Sequence, residues 1–209
     1  MAAMSNYLEN NLTDFLLRAQ AFTPPAAVHV GLIVATRGYS NSIRSTAVSV
    51  GDTVIPATPN GRLYRVTTAG TTGASEPTYP TTDGGTVTDG TAVWTEHTPS
   101  LDANANVTEV SGGAYARVSL TRSLANWSGT QSAGSTVASS GTGGASSNNG
   151  AVTFPAPTAN WGLVFGLGVW DAATVGNLWL WGALTTPKTV NNADPAPSFA
   201  AAALTITFA

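Results

Sequence analysis

Two apolar runs, Leu163–Trp170 and Asn177–Leu184, lie within the stretch Ala151–Leu184, separated by the turn-like Asp-Ala-Ala-Thr-Val-Gly. Each run is of strand length and carries glycine, so the pair predicts a β-hairpin rather than two helices. In the second run Leu178, Leu180 and Gly182 alternate with Trp179, Trp181 and Ala183, which assigns the two sets to opposite faces. Neither set is polar. Such a hairpin is expected to be covered on both sides, and in a chain short of charge the second cover can be another subunit.

That shortage is the informative part of the composition. Charged residues make up 9% of the 209 positions, against roughly 25% in an average soluble domain. Gly, Ser, Thr and Ala take up the difference. Two readings stay open: a subunit built to pack against copies of itself or other proteins, or a β protein with a hydroxylated surface. The length allows one substantial core, or one core plus a small module.

The net charge of −3 and eight scattered basic residues give no nucleic-acid footprint. Cysteine is absent, which removes disulfides and thiolate chemistry. The N-terminus MAAMSNYLEN has no basic, apolar leader, and no apolar run reaches the ~18–20 residues of a membrane span. Neither signal-led export nor membrane insertion is expected.

Asn6 to about Ala19 predicts the one helix, capped by Asn6 with Glu9 three residues on. Leu8, Leu12, Phe15 and Leu16 recur at helical spacing, and Thr23-Pro24-Pro25 is the expected stop. This helix either packs on its own sheet or docks on a neighbouring subunit. Ala27–Val34 then predicts a buried strand, with Val28, Val30, Leu32 and Val34 on one face and His29 on the other.

From about Tyr39 to Asn106 the chain changes character. Turn residues cluster at Pro59-Asn60-Gly61, Asp83-Gly84-Gly85 and Asp89-Gly90, with strand candidates at Thr53–Ile55, Arg62–Thr67 and Thr91–Glu96. Five of the eleven acidic residues fall between Asp52 and Glu96. This predicts a small β module as a separate lobe. Beyond it, Ala114–Leu120 and Leu204–Phe208 alternate like strands, whereas Ser128–Gly150 is almost wholly Gly, Ser, Thr, Ala and Asn. The latter is either a mobile loop or an extended run held by neighbours. Thr185–Pro197, with three prolines, is expected as a loop.

Groups for catalysis are sparse. His29 and His97 are the only histidines, no Gly-x-Ser-x-Gly elbow occurs, and no His/Asp/Glu cluster has metal-ligand spacing. Gly166-Leu167-Gly168 lacks the third glycine and helix of a dinucleotide loop. Asp83, Asp89 and Glu96 are the available carboxylates for glycoside chemistry, but acids in turns are normally solvated. No catalytic residue, metal or cofactor is expected, and the chain reads as a non-enzyme. Tyr64, Tyr79 and Trp94 are the aromatic residues of the small module. They are either its core or a stacking platform for a glycan. Leu8, Leu12, Phe15, Trp179 and Trp181 are the candidates for a subunit interface.

SNYLENNLTDFLLRAQAFTPPAAVHVGL, TEVSGGAYARVSLTRSLANWSG, SNNGAVTFPAPTANWG and GNLWLWGALTTPKTVNNADPAPSFAAAALTITFA together resemble a family of small virion proteins of tailed bacteriophages, commonly called tail fibre or fibre-like proteins. The resemblance covers about two-thirds of the chain. Simpler members run from the VGL strand through a short loop to TEVSGGAYAR; here about Ser40 to Asn106 is inserted. GRLYRVTTAGTTGASEPTYPTTDGGTVTDGTAVWTE resembles a module recurrent in phage structural proteins, and more loosely a chitin-binding type of carbohydrate module.

Together these readings predict an all-β protein: a β-sandwich or jelly-roll-like main domain (residues 1–40 plus 106–209) with an N-terminal helix, and an inserted small β module (41–105). The resemblance implies a structural subunit of the virion, tail-associated, assembled in the host bacterial cytoplasm beside other phage proteins as a homo-oligomer such as a trimer. The alternatives are a capsid decoration protein with the insert as a knob, or an adhesin whose insert holds a host surface glycan.

Overall fold

The computed structural model describes residues 3–207, apart from the side chains of Ala3, Asn41, Pro99 and Ala105. Among these residues the protein is all-β with one α-helix. Its larger sheet has five antiparallel strands in the order Ala3–Met4, Leu178–Val190, Gly162–Trp170, Ala27–Ala35, Val118–Thr121. The expected hairpin thus lies at its middle, paired with the expected strand Ala27–Ala35. Two short ladders, Ala145–Ser147 with Thr205–Thr207 and Val152–Thr153 with Ser198–Phe199, form the layer on one face.

Both faces of the central strands are buried, as their composition requires. On one, Val30, Leu32, Val164 and Val190 pack against Val110, Val152, Phe154, Trp161 and Leu204. On the other, Ile33, Ala35, Phe165, Trp170, Leu178 and Trp181 meet Ile55, Leu63 and Leu101. That second cover comes from the chain's own inserted segment.

The inserted segment carries its own five-stranded sheet, in the order Arg37–Gly38, Thr53–Ile55, Tyr64–Thr68, Ala92–Glu96, Thr86–Asp89. The first pair is parallel and the rest antiparallel. This sheet begins at Arg37, slightly before the position where the composition changes. The chain returns to the larger sheet through two 3-10 turns, Thr98–Asp102 and Asn104–Asn106. They are tied down by indole hydrogen bonds: Trp181 Nε1 donates to Asp102 (2.8 Å) and Trp170 Nε1 to Asn104 (3.1 Å).

Four local expectations are corrected. The face assignment in the hairpin breaks at a β-bulge: Val169 pairs with Leu180 and Trp170 with Leu178, leaving Trp179 as the extra residue. Leu178 therefore shares a cluster with Trp181, and Leu180 one with Trp179. The strand expected to end at Leu184 runs to Val190, because after an irregular stretch Lys188, Thr189 and Val190 pair with Val164, Leu163 and Gly162. Helix α1 spans Asn6–Leu17, and its cap is Ser5 rather than Asn6. It ends well before the prolines, where Ala19 takes a positive φ of 54° and the Arg18 and Gln20 amides both close on the Asp14 carbonyl.

Ser128–Gly150 is held by neighbours rather than by a core of its own. Ser128 and Ser147 exchange hydrogen bonds, and the buried Asn148 donates to the Gly150 and Ala200 carbonyls while accepting from the Leu204 amide. Of the last expected strand, Thr205–Thr207 is formed, and Phe208 lies outside the described residues.

Candidate functional site

Tyr64, Tyr79 and Trp94 come together, but inside the inserted module. Tyr64 and Trp94 are 0% exposed and Tyr79 8%. Tyr79 packs on Tyr64 with ring centroids 4.3 Å apart and meets Tyr39 edge-on at 6.1 Å. Rings enclosed by one another have no free face for a pyranose, so of the two readings open from the sequence, core or glycan platform, the packing of these three residues is that of a core. A module this small needs its largest side chains as interior.

The acids are corrected. Asp89 and Glu96 are 3% exposed, and only Asp83 is solvated, paired with Arg62 at 2.7 Å. Asp89 accepts from the Gly73 amide (2.7 Å), the Trp94 indole (3.1 Å) and the Tyr39 hydroxyl (3.4 Å). Glu96 accepts from the amides of Thr98 (3.0 Å) and Gly84 (3.2 Å) and pairs with Arg62 at 3.2 Å. Both carboxylates thus organise loops. Burial holds His29 and His97 below the ordinary histidine pKa, with Arg117 and Arg65 respectively adding to it. No group of three or more His, Cys, Asp or Glu residues able to hold a metal occurs among the described residues.

Arg117 fills a second buried network. It binds both Glu109 oxygens (2.8 and 2.7 Å), donates to the Ala172 and Val175 carbonyls, and lies 4.1 Å from the centroid of the Trp170 ring. These contacts fix the loop that closes the hairpin.

The interface candidates divide by exposure. Leu8, Trp179 and Trp181 are buried in the chain's own clusters, and Leu12 is half-buried. Phe15 is 51% exposed, and beside it Leu16 and Leu17 are 71% and 80% exposed. The end of α1 is therefore an uncovered apolar tip. Next to α1 opens an apolar groove of about 330 Å³, lined by Leu8, Leu12, Phe22, Val28, Trp127, Val169, Trp179, Leu180 and Ile206, with Arg122 and Ser146. The Trp179 indole N–H has no acceptor among the described residues. Sequence reasoning missed Leu17 and the groove, because Phe22, Arg122, Trp127 and Ile206 are far apart in the chain and converge only in the fold.

Two five-stranded sheets, three two-stranded ladders and one α-helix make up the described residues, and Asp89 and Glu96 hold loops among them. The sequence matches the family of the podophage GP4 fiber I protein gp80 over residues 3–100 and 92–207. The chain belongs to this family. The matched segments include both the inserted module and the larger sheet, so the gp80 family relationship extends over the whole described fold. As a member of a phage fibre family the chain is a virion component that associates with other phage proteins. No curated protein matches it. Helix α1 has 12 residues, and no helix among the described residues is long and apolar enough to cross a membrane.

Proposed function

We propose that this gp80-family protein is a non-enzymatic structural subunit of a tailed-phage virion, attached at the tail and assembled through contacts between subunits. The observation that carries the reading is the family match over 3–100 and 92–207. The structure supplies the physical means. Arg37–Asn106 is fixed to the larger sheet through Ile55, Leu63, Leu101 and the indole bonds to Asp102 and Asn104, which suits a part that must hold its shape under load. The low charge and the uncovered end of α1 favour assembly with other chains.

The test is localisation on purified particles, by cryo-EM density or by an antibody against this chain. Density or label at the tail supports the proposal. Density over the capsid lattice would make the chain a decoration protein, and absence from the particle would overturn the virion role.

A further inference from the structure

We propose that Asn60 is the chain's site of spontaneous deamidation, a covalent change at the joint between the inserted module and the larger sheet. Asn-Gly occurs twice, at 60–61 and 149–150. In this dipeptide the glycine has no Cβ to shield its backbone nitrogen, so that nitrogen can attack the asparagine side-chain carbonyl. The sequence makes both pairs candidates, and the fold separates them.

Three features favour Asn60. Asn60 and Gly61 are exposed, and the Gly61 N–H donates no hydrogen bond among the described residues, which leaves it free to lose its proton to solvent base. Asn60 Oδ1 accepts from the Arg62 amide at 3.1 Å. That donor polarises the carbonyl and stabilises the negative charge that develops on Oδ1 during the attack. An open cleft of about 390 Å³, which Asn60 and Gly61 share with Asp83, Asp102 and Trp181, brings water to the turn. Asn149 has the opposite surroundings. Its Oδ1 is buried with no hydrogen-bond partner among the described residues, so an oxyanion there would form unsolvated. Its Nδ2 donates to the Leu124 and Ser135 carbonyls at 3.2 and 3.3 Å, and its backbone amide to the Asn126 carbonyl at 2.8 Å. Reaction at Asn149 needs the loop to open first.

In the reaction the Gly61 nitrogen loses its proton and bonds to Asn60 Cγ. The Cγ–Nδ2 bond breaks, and Nδ2 leaves as ammonia with a proton returned through water. Water then opens the cyclic imide at either carbonyl, leaving aspartate or isoaspartate at position 60. The new carboxylate is acceptor-only. Asn60 Nδ2 donates to the Tyr64 hydroxyl at 2.8 Å, and that hydroxyl donates to the Pro80 carbonyl at 2.9 Å. After the change Tyr64 has one proton for two acceptors, so a core side chain of the module loses a partner.

Incubation of the full chain in mildly alkaline buffer, folded and in guanidinium chloride, tests the assignment. Peptide masses and labelling by an isoaspartyl methyltransferase are read at both pairs. In the folded chain Asn60 is expected to react, and Asn149 about tenfold or more slowly because it waits for local opening. In denaturant the two should react at comparable rates. Asn60→Asp and the aged chain are both expected to unfold at lower urea than fresh protein. Equal rates at the two pairs in the fold would overturn the assignment, as would an intact Asn60 in the fold under conditions where the unfolded chain reacts. An unchanged urea midpoint in Asn60→Asp would overturn the coupling to Tyr64. None of these readouts depends on where the chain sits in the particle, so the virion role stands or falls separately.

Discussion

Ser5 donates its hydroxyl to the Leu178 carbonyl and accepts from the Leu8 amide at 3.3 Å, so one buried oxygen caps α1 and binds the bulged strand. Its backbone amide donates to the Trp179 carbonyl at 2.9 Å. The bulge frees carbonyls from the ladder, and the start of the helix collects them. Helix position and bulge are therefore one feature, and they set the wall of the apolar groove.

Replacing Ser5 tests this coupling. Ser5→Ala loses the cap and leaves the Leu178 carbonyl bare, costing about 1–2 kcal/mol. Ser5→Asp is the sharper case. Aspartate is as good a cap as serine on an exposed helix, but here an acceptor-only carboxylate would face a carbonyl oxygen. Denaturant unfolding should rank wild type above Ser5→Ala and Ser5→Ala above Ser5→Asp. The reverse order of the two variants would show that capping alone governs the site.

In the inserted module the exchange of Asp89 for Asn retains the volume but turns an amide N–H₂ toward either Gly73 N–H or the Trp94 indole N–H. Donor then faces donor in a site that is 3% exposed. Each stranded buried donor costs about 1–3 kcal/mol. Asp89→Asn is therefore expected to unfold at clearly lower urea than wild type, with early loss of near-ultraviolet dichroism from Trp94. Asp83→Asn, at an exposed ion pair, is expected to change stability by less than about 1 kcal/mol.

Gly31 lies where the larger sheet meets the Arg117 network. A Cβ there would fall 2.7 Å from Glu109 Oε1, 2.7 Å from the Trp170 ring and 2.8 Å from the Tyr115 hydroxyl. Those three groups are locked together by Arg117 and by the Tyr115–Glu109 hydrogen bond of 2.7 Å. Gly31→Ala should cost about 1–3 kcal/mol as an overpacked position. Calorimetry of the variant gives the number, and Gly61→Ala is a useful contrast: its Cβ meets nothing within 4 Å, so only its φ of +76° opposes the change.

Periodicity made the centre of the fold legible. The apolar runs around Gly166 and Trp181 and the Val28–Val34 alternation specify buried strands, and the turn-dense stretch after Tyr39 marks the second sheet. What periodicity does not encode is the extra residue. Nothing in Leu-Trp-Leu-Trp distinguishes a regular strand from one bulged at Trp179, because the bulge is fixed by Ser5, more than 170 residues away. Polar residues around Lys188 hid the second half of the long strand, which is held by backbone pairing with Leu163 and Val164. The aromatic residues of the insert were visible as a set, but burial depends on what surrounds them, and Tyr39, outside the expected module, completes their enclosure.

Alkaline pH should loosen the inserted module before neutral or mildly acidic pH does. Burial, followed by the nearby Asp89 charge, pushes the Tyr39 phenol up to about 12 from its ordinary 10.0. Burial likewise raises Tyr64 and Tyr79, and Tyr115 in the larger sheet. A folded-state pKa above the unfolded one contributes stability that is complete below the unfolded value and is lost as pH rises through the folded value. For Tyr39 the loss should therefore begin near pH 10 and continue to about pH 12. Urea midpoints measured across that window, with phenolate absorbance followed in parallel, should fall together. Tyr39→Phe should lower stability at neutral pH, because it removes the hydroxyl donated to Ser75 at 3.0 Å and to Asp89, yet flatten the alkaline slope by its own share. An unchanged slope in Tyr39→Phe would mean that the other buried phenols carry the whole effect.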